Sequence, residues 1–242
     1  MRNKAVLAVH DLRTTTTISG ISSMATRQFL AEVTADWRST GGCNVRFEFV
    51  GGVDAAKRVQ DGEAFDLAVL ASDAIDKLAR AGSVIPASVV ALARSSVAIA
   101  VPHGAPRPPV DSKAALLAAL RVASRIGYST GPSGKALLQL FANLGIYREI
   151  FGRLVQAPPG VPVGALLARG EVALGFQQQS ELMHLEGIDL LGPMPPGLEI
   201  VTTFSAAVCS VATRPRHAEE LLAYLCSSET ADAKRTQGME PA

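Results

Sequence analysis

The residues best spaced to do chemistry lie in the stretch 126–146, IGYSTGPSGKALLQLFANLGI. Thr130 and Ser133 supply hydroxyls there, and Gly131 and Gly134 leave the backbone open to close approach. The apolar Ile126-Gly127-Tyr128 reads as a strand that stops at Ser129-Thr130-Gly131. Pro132-Ser133-Gly134-Lys135 then opens a helix. In it Ala136, Leu137, Leu140, Phe141 and Leu144 recur on one face until Gly145 ends the run. Such a helix start turns unpaired backbone N–H groups, and the positive end of its dipole, toward whatever precedes it. The chemistry that suits it is the seating of a small anion. An ordinary strand-to-helix turn capped by Thr or Ser uses the same residues, so the other polar positions have to decide.

Those positions share a place in the pattern. Expected strands end in small or hydroxyl-bearing residues at Ser22-Ser23, Gly51-Gly52, Ala71-Ser72, residues 130–133 and residues 177–180. In open α/β sheets ligands bind outside the carboxyl ends of the strands. Backbone N–H groups and neutral donors gathered there suit a dehydrated anion, although Gly- and Ser-rich loops also serve plain turns. Arg94, with Ser95 beside it, would hold a carboxylate in a two-pronged fork or stand as a solvated surface cation. Gln177 and Gln178 end an apolar strand, where they add donors and acceptors without charge or form an exposed turn. No catalytic constellation is visible. The chain has no G-x-S-x-G and no HExxH, and Gly134-Lys135 lacks the glycine spacing of a phosphate loop. Glu181, Asp73, His103 and His184 stand alone, so the catalytic residue is unknown at this level.

Composition narrows the classes. In 242 residues, Lys and Arg number 23 against 22 Asp and Glu, which leaves no electrostatic footprint for nucleic acid and no polybasic membrane patch. Cys43, Cys209 and Cys226 lie far apart and the four histidines are scattered, so no metal-ligand spacing arises and no cofactor is implied. The N-terminal apolar run, residues 5–9, is broken by His10, Asp11 and Arg13 and is too short for a secretory segment. No run is long enough for a membrane span. The expected location is the periplasm if an export signal has been removed, and the cytoplasm if the sequence is complete as written.

The elements that must position these groups alternate. Residues 14–19 read as a strand turning at Gly20, followed by a helix with Phe29, Leu30, Val33 and Trp37 inward. Residues 44–50 alternate as a strand, residues 53–60 form a short helix, and residues 65–70 form a buried strand. Residues 97–101 are a further strand, with a Pro-rich turn at residues 103–110. After the 126–146 stretch come strands at residues 153–156 and 172–176 around a helix at residues 163–169. Residues 199–211 are a long apolar stretch suited to pass from one lobe back to the other, and two helices close the chain. This alternation implies mainly parallel sheets covered by helices on both faces.

With these residues in view, the chain resembles bacterial solute-binding proteins of the molybdate-binding type. The resemblance is carried by Ser22-Ser23, FEFVGGVDAAKRVQDGEAFDLAVLASDAIDKLARAGSV, LARSSVAIAV, YSTGPSG, GVPVGALLARGEVALGFQQQSEL and GPMPPGLE, in matching order from about Thr14 onward. It implies an α/β, two-lobed type II periplasmic-binding-protein fold, with lobe one at residues 1–98 and 203–242 and lobe two at 99–202. It also implies a ligand cleft between the lobes, hinge closure, and an ABC-type transporter as membrane partner. Two departures matter. The paired serines that the molybdate binders carry after their second strand fall on Gly51-Gly52, and their late tyrosine falls on residues 177–179. Both departures favour a larger organic anion, for which Arg94 is suited, over molybdate. The family is also similar to aconitate isomerase, so an isomerase of unsaturated di- or tricarboxylates is the alternative. A 1,3-proton shift of that kind needs a base, and Glu181 or His103 would have to supply it.

Overall fold

The computed structural model describes residues 16–242. The apolar run at residues 5–9 and the first two residues of the strand expected at 14–19 lie outside the described residues. Two compact units emerge: the chain up to Ala93 together with Thr203–Ala242, and Arg94–Thr202.

The first unit opens with β1 (Thr17–Ser23), a single 3-10 turn at Met24–Thr26 and α1 (Arg27–Ser39). β2 (Asn44–Val50), α2 (Gly52–Gln60), β3 (Leu67–Ala71) and α3 (Ser72–Arg80) follow. β1 lies between β2 and β3 and is parallel to both, with Ile18 opposite Val45 and Ser22 opposite Val69. Parallel pairing without hairpins is what the intervening helices require. β4 (Val90–Pro102) starts in this unit and carries the chain into the second.

There α4 (Lys113–Val122), β5 (Ile126–Tyr128), α5 (Pro132–Asn143), the short α6 (Tyr147–Ile150), β6 (Leu154–Gln156) and α7 (Val163–Ala168) lead to β7 (Leu174–Gln178). α8 (Gln179–Leu182) and β8 (Ile188–Pro193) complete it. β5 runs parallel to β6 and β7, while β4 pairs antiparallel with β7 and β8. β9 (Val201–Val208) brings the chain back to run antiparallel to β3, and α9 (Pro215–Cys226), α10 (Ala231–Thr236) and β10 (Glu240–Pro241) close the first unit.

Strand alternation assigns side chains to two cores in each unit. In the first, Ile18, Val69 and Val208 pack on Phe29 and Leu30 of α1 and Leu221 of α9, while Ile21, Leu70 and Ala207 pack on Val59 of α2 and Ile75 of α3. In the second, Val97, Ile99 and Phe176 pack on Leu116 of α4 and Phe141 of α5, while Ala98 and Ala100 pack on Val163 and Leu167 of α7. Each large side chain buried this way contributes roughly 1.5–3 kcal/mol.

Three expectations shift. Gly20 is not a turn: β1 runs through it to Ser23, because a Cβ there would lie 2.3 Å from the Phe47 ring on β2. The glycine makes room for an aromatic neighbour. β4 spans Val90–Pro102 rather than residues 97–101 alone, since Leu92 and Ala93 join the first unit's core. β7 extends through Gln178, beyond the expected stop at Phe176. Among the described residues no group of three or more His, Cys, Asp or Glu could hold a metal, and no helix is long and apolar enough to cross a membrane. The cysteines are free thiols, Cys43 and Cys209 buried and Cys226 exposed.

Candidate functional site

Because β1, β2 and β3 are parallel, their carboxyl ends share one edge of the first unit's sheet. Ser22 and Ser23 end β1, with Ser23 opposite Val50, and Gly51-Gly52 follow directly on β2. Ser72 opens α3 at the end of β3. The hydroxyls there are not equivalent. Ser22 Oγ is fully buried, donates to Val69 O at 3.0 Å and meets Thr26 Oγ1. Ser72 Oγ donates to Thr203 O at 3.0 Å and meets Ser205 Oγ at 2.7 Å. Both are committed within the chain. Ser23 Oγ is buried without a partner. A Cβ on Gly52 would come 3.7 Å from Ser23 Cβ, so the glycine lies against that serine.

In the second unit the carboxyl ends of the parallel strands β5, β6 and β7 likewise share an edge. The part of β4 nearest Ser95 reaches it too, because Val97 pairs with Gln178. Ser95 is buried and its hydroxyl lies 3.3 Å from that of Ser180, whereas Arg94 beside it is exposed. After β5, the Ser129 and Ser133 hydroxyls are 3.1 Å apart and Thr130 is half-buried. Gly134 serves packing directly: a Cβ there would stand 1.8 Å from the Ser129 carbonyl oxygen, so only glycine lets α5 start this close to the turn. Gly131 faces open space.

The two glutamines are buried rather than set in an exposed turn. Alternation sends them to opposite faces of β7. Gln177 is fully used: Gly164 N donates to its Oε1 at 3.3 Å and its Nε2 donates to Glu181 Oε1 at 2.8 Å. Gln178 Nε2 donates to Thr202 Oγ1 at 2.6 Å, and its Oε1 has no partner. Glu181, on α8, is drawn in by Gln177. Burial pushes its carboxyl up to about 7, against the smaller downward pull of the Gln177 amide. A carboxyl at that value can take and return a proton near neutral pH. His103 follows the far end of β4, roughly 25 Å of strand from Ser95, and its Nδ1 lies 3.0 Å from Asp189 Oδ1. His184 and Asp73 are exposed.

Residues 22–23, 51–52 and 72 therefore meet at one unit's edge, and residues 94–95, 130–134 and 177–178 at the other's. Sequence reasoning missed Thr26, Thr202 and Ser205, which hold the site's side chains in place. The adjacent hydroxyls Thr202-Thr203 in the 199–211 stretch were the available signal for Thr202.

Comparison with known proteins identifies the family and the fold. Residues 18–240 match the family described as bacterial extracellular solute-binding protein. An aconitate isomerase from Pseudomonas sp. is 36% identical over 185 residues, which cover 76% of this chain and 70% of that protein. The periplasmic molybdate-binding protein of Azotobacter vinelandii superposes with a TM-score of 0.78 at 15% identity, covering 92% of this chain and 98% of that one. The sulfate-binding protein of Mycobacterium tuberculosis superposes at 0.77 with 17% identity, covering 94% and 87%. These two likenesses are of fold, the two-lobed periplasmic-binding-protein architecture. With a match across nearly its whole described length, the chain belongs to the bacterial extracellular solute-binding protein family.

Proposed function

We propose that this protein captures a small organic anion, a carboxylate rather than molybdate, and delivers it to an ABC-type transporter from the periplasm. One observation carries the reading. Ser23 Oγ and Gln178 Oε1 are buried polar atoms without a partner, each at the carboxyl end of a strand in its unit. Buried polar groups are nearly always satisfied. Trp37 Nε1, Ser227 Oγ and Gln237 Oε1 are also without partners, but Ser23 and Gln178 are the ones placed at carboxyl ends of strands, where a ligand would complete them. At the first unit's edge few hydroxyls are left to ring a tetrahedral oxoanion. Ser22 and Ser72 are committed internally, and Gly51 and Gly52 bring none. Arg94, exposed beside Ser95, supplies a guanidinium suited to a carboxylate. Arg94, Ser95, Thr130, Ser133 and Gln178 are the proposed contacts at the second unit's edge, and Ser23 is the one at the first unit's.

Thermal-shift screening against molybdate, sulfate, citrate, both aconitates and dicarboxylates tests this, because a ligand that binds the native state raises apparent stability. Stabilisation by a carboxylate is expected, and Ser23→Ala and Arg94→Ala should each weaken it about tenfold. Stabilisation by molybdate alone overturns the carboxylate reading. Wild-type affinity in both variants overturns the site.

A second reading, isomerisation of an unsaturated di- or tricarboxylate, is favoured by Glu181 together with the aconitate isomerase relative. Glu181 as carboxylate would take a proton from the allylic CH2, the electron pair would spread over the allyl–carboxylate system, and the proton would return to the carbon two bonds away. Donors at the start of α5 would hold the developing charge. Proton NMR of cis- and trans-aconitate with the protein decides: interconversion lost in Glu181→Gln with binding kept supports it, and no interconversion by the native protein refutes it.

A further inference from the structure

We propose that the ligand of this site carries a hydroxyl next to its carboxylate, and that Gln178 Oε1 reads it. The proposal rests on the carboxylate-binding reading and narrows it to hydroxycarboxylates. Two adjacent amides at the end of β7 behave differently. Gln177 spends both ends inside the chain, its oxygen on Gly164 N and its nitrogen on Glu181. Gln178 spends only its nitrogen, donated to Thr202 Oγ1 at 2.6 Å, and that bond turns the oxygen away from Thr202. The oxygen then stays without a partner on a side chain that is 3% exposed.

The location makes this oxygen part of the anion seat. Gln178 is the cross-strand partner of Val97 and shares its face, the face on which Phe176 meets Phe141 of α5 at 5.7 Å. Tyr128 and Phe176 are in register on parallel strands, so Gln178 and the turn that starts α5 stand at the same end of the sheet. Gly131, in that turn, faces open space. The start of the twelve-residue α5 presents donors and positive potential. Gln178 Oε1 is an acceptor. An anion whose oxygens only accept, such as sulfate or a fully ionised plain dicarboxylate, satisfies the first and leaves the second unpaired. A hydroxyl beside the carboxylate satisfies both. A site built to bond a hydroxyl rejects the analogue that lacks it, because its own buried group is then stranded.

Paired ligands that differ by that hydroxyl test the idea: malate against succinate, and citrate against tricarballylate, by isothermal titration. The hydroxy acid of at least one pair should bind the native protein tenfold or more tightly. Gln178→Met should erase the preference, bringing the two members of each pair to equal affinity. Thr202→Val is the second variant, since it frees the amide to turn its NH2 inward and should shrink the preference without touching Gln178. Equal affinity within both pairs, with binding intact, overturns this inference alone. Absence of binding by any carboxylate overturns the underlying reading and this inference with it.

Discussion

Two carboxyl groups in this chain, the buried Asp66 and the half-buried Glu181, show opposite uses of the same chemistry. Asp66 precedes β3 at the amino end of the first unit's sheet and is 1% exposed. Its oxygens accept from Ser19 N at 2.9 Å, Ser19 Oγ at 3.1 Å, Thr213 N at 2.9 Å, Thr213 Oγ1 at 3.3 Å and Arg214 N at 3.0 Å. Burial by itself would raise its pKa, but the N–H groups of Ser19, Arg214 and Thr213 together outweigh it and hold the group below the ordinary carboxylate value. Glu181 follows the carboxyl end of β7 and has one amide donor, Gln177. Burial wins there, and the carboxyl rises to about 7. The number of donors decides whether an acid withdrawn from water stays an ion or keeps its proton. At the amino ends of the strands the chain holds a permanent charge that ties β1 to the segment before α9. At the carboxyl ends it leaves Ser23 Oγ, Gln178 Oε1 and the Glu181 carboxyl under-supplied.

The contrast can be broken from the Asp66 side with the largest effect. Asp66→Ala strands several buried donors and should cost about 3–4 kcal/mol at pH 7 in urea unfolding. The sign with pH follows from the lowered pKa. The stabilisation is present above the unfolded-state value of 3.8 and is lost as pH falls through the lower native one, so the gap between native and variant protein should close in acid. A gap unchanged at low pH would show that Asp66 does not act as an ion.

Glu181→Gln tests the other side with an effect of opposite sign. The native state holds this proton more tightly than the unfolded chain, so stability falls as pH rises from about 4.5 through about 7. The amide has no such slope. Relative to the native protein, the variant should gain roughly 2–3 kcal/mol between pH 4 and pH 8. Parallel stability profiles would place Glu181 in ordinary solvent.

The smallest effect sharpens the comparison rather than breaking it. Gln177→Leu removes the one amide that pulls the Glu181 pKa down, so the Glu181 titration followed by carbon NMR should move still higher. Stability should fall by only about 1 kcal/mol, because Gly164 N loses its acceptor as well. A downward move would mean that Gln177 does not set this carboxyl.

Much of this was legible without coordinates. The spacing of Leu137, Leu140 and Phe141 after Gly131-Pro132 marked α5 to within a residue or two, because a helix face and its start are local patterns. The gathering of polar residues at strand ends was legible for the same reason, since alternation of strand and helix forces parallel pairing. Gly20 was misread because a glycine that makes room for Phe47 looks, in one dimension, like a glycine that turns. Gln177 and Gln178 were legible as unusual but not as buried.

The sequence by itself determined the order of elements, the α/β class and the candidate edges, all of which follow from periodicity and chain polarity. It also determined which residue types stand at those edges. Only the tertiary structure decided which of them remain available. Ser22 and Ser72 spend their hydroxyls on Val69, Thr203 and Ser205, between 47 and 133 residues away along the chain, while Ser23 and the oxygen of Gln178 are left over. Hydrogen-bond supply at a buried site is set by neighbours distant in sequence, so no local pattern can report it.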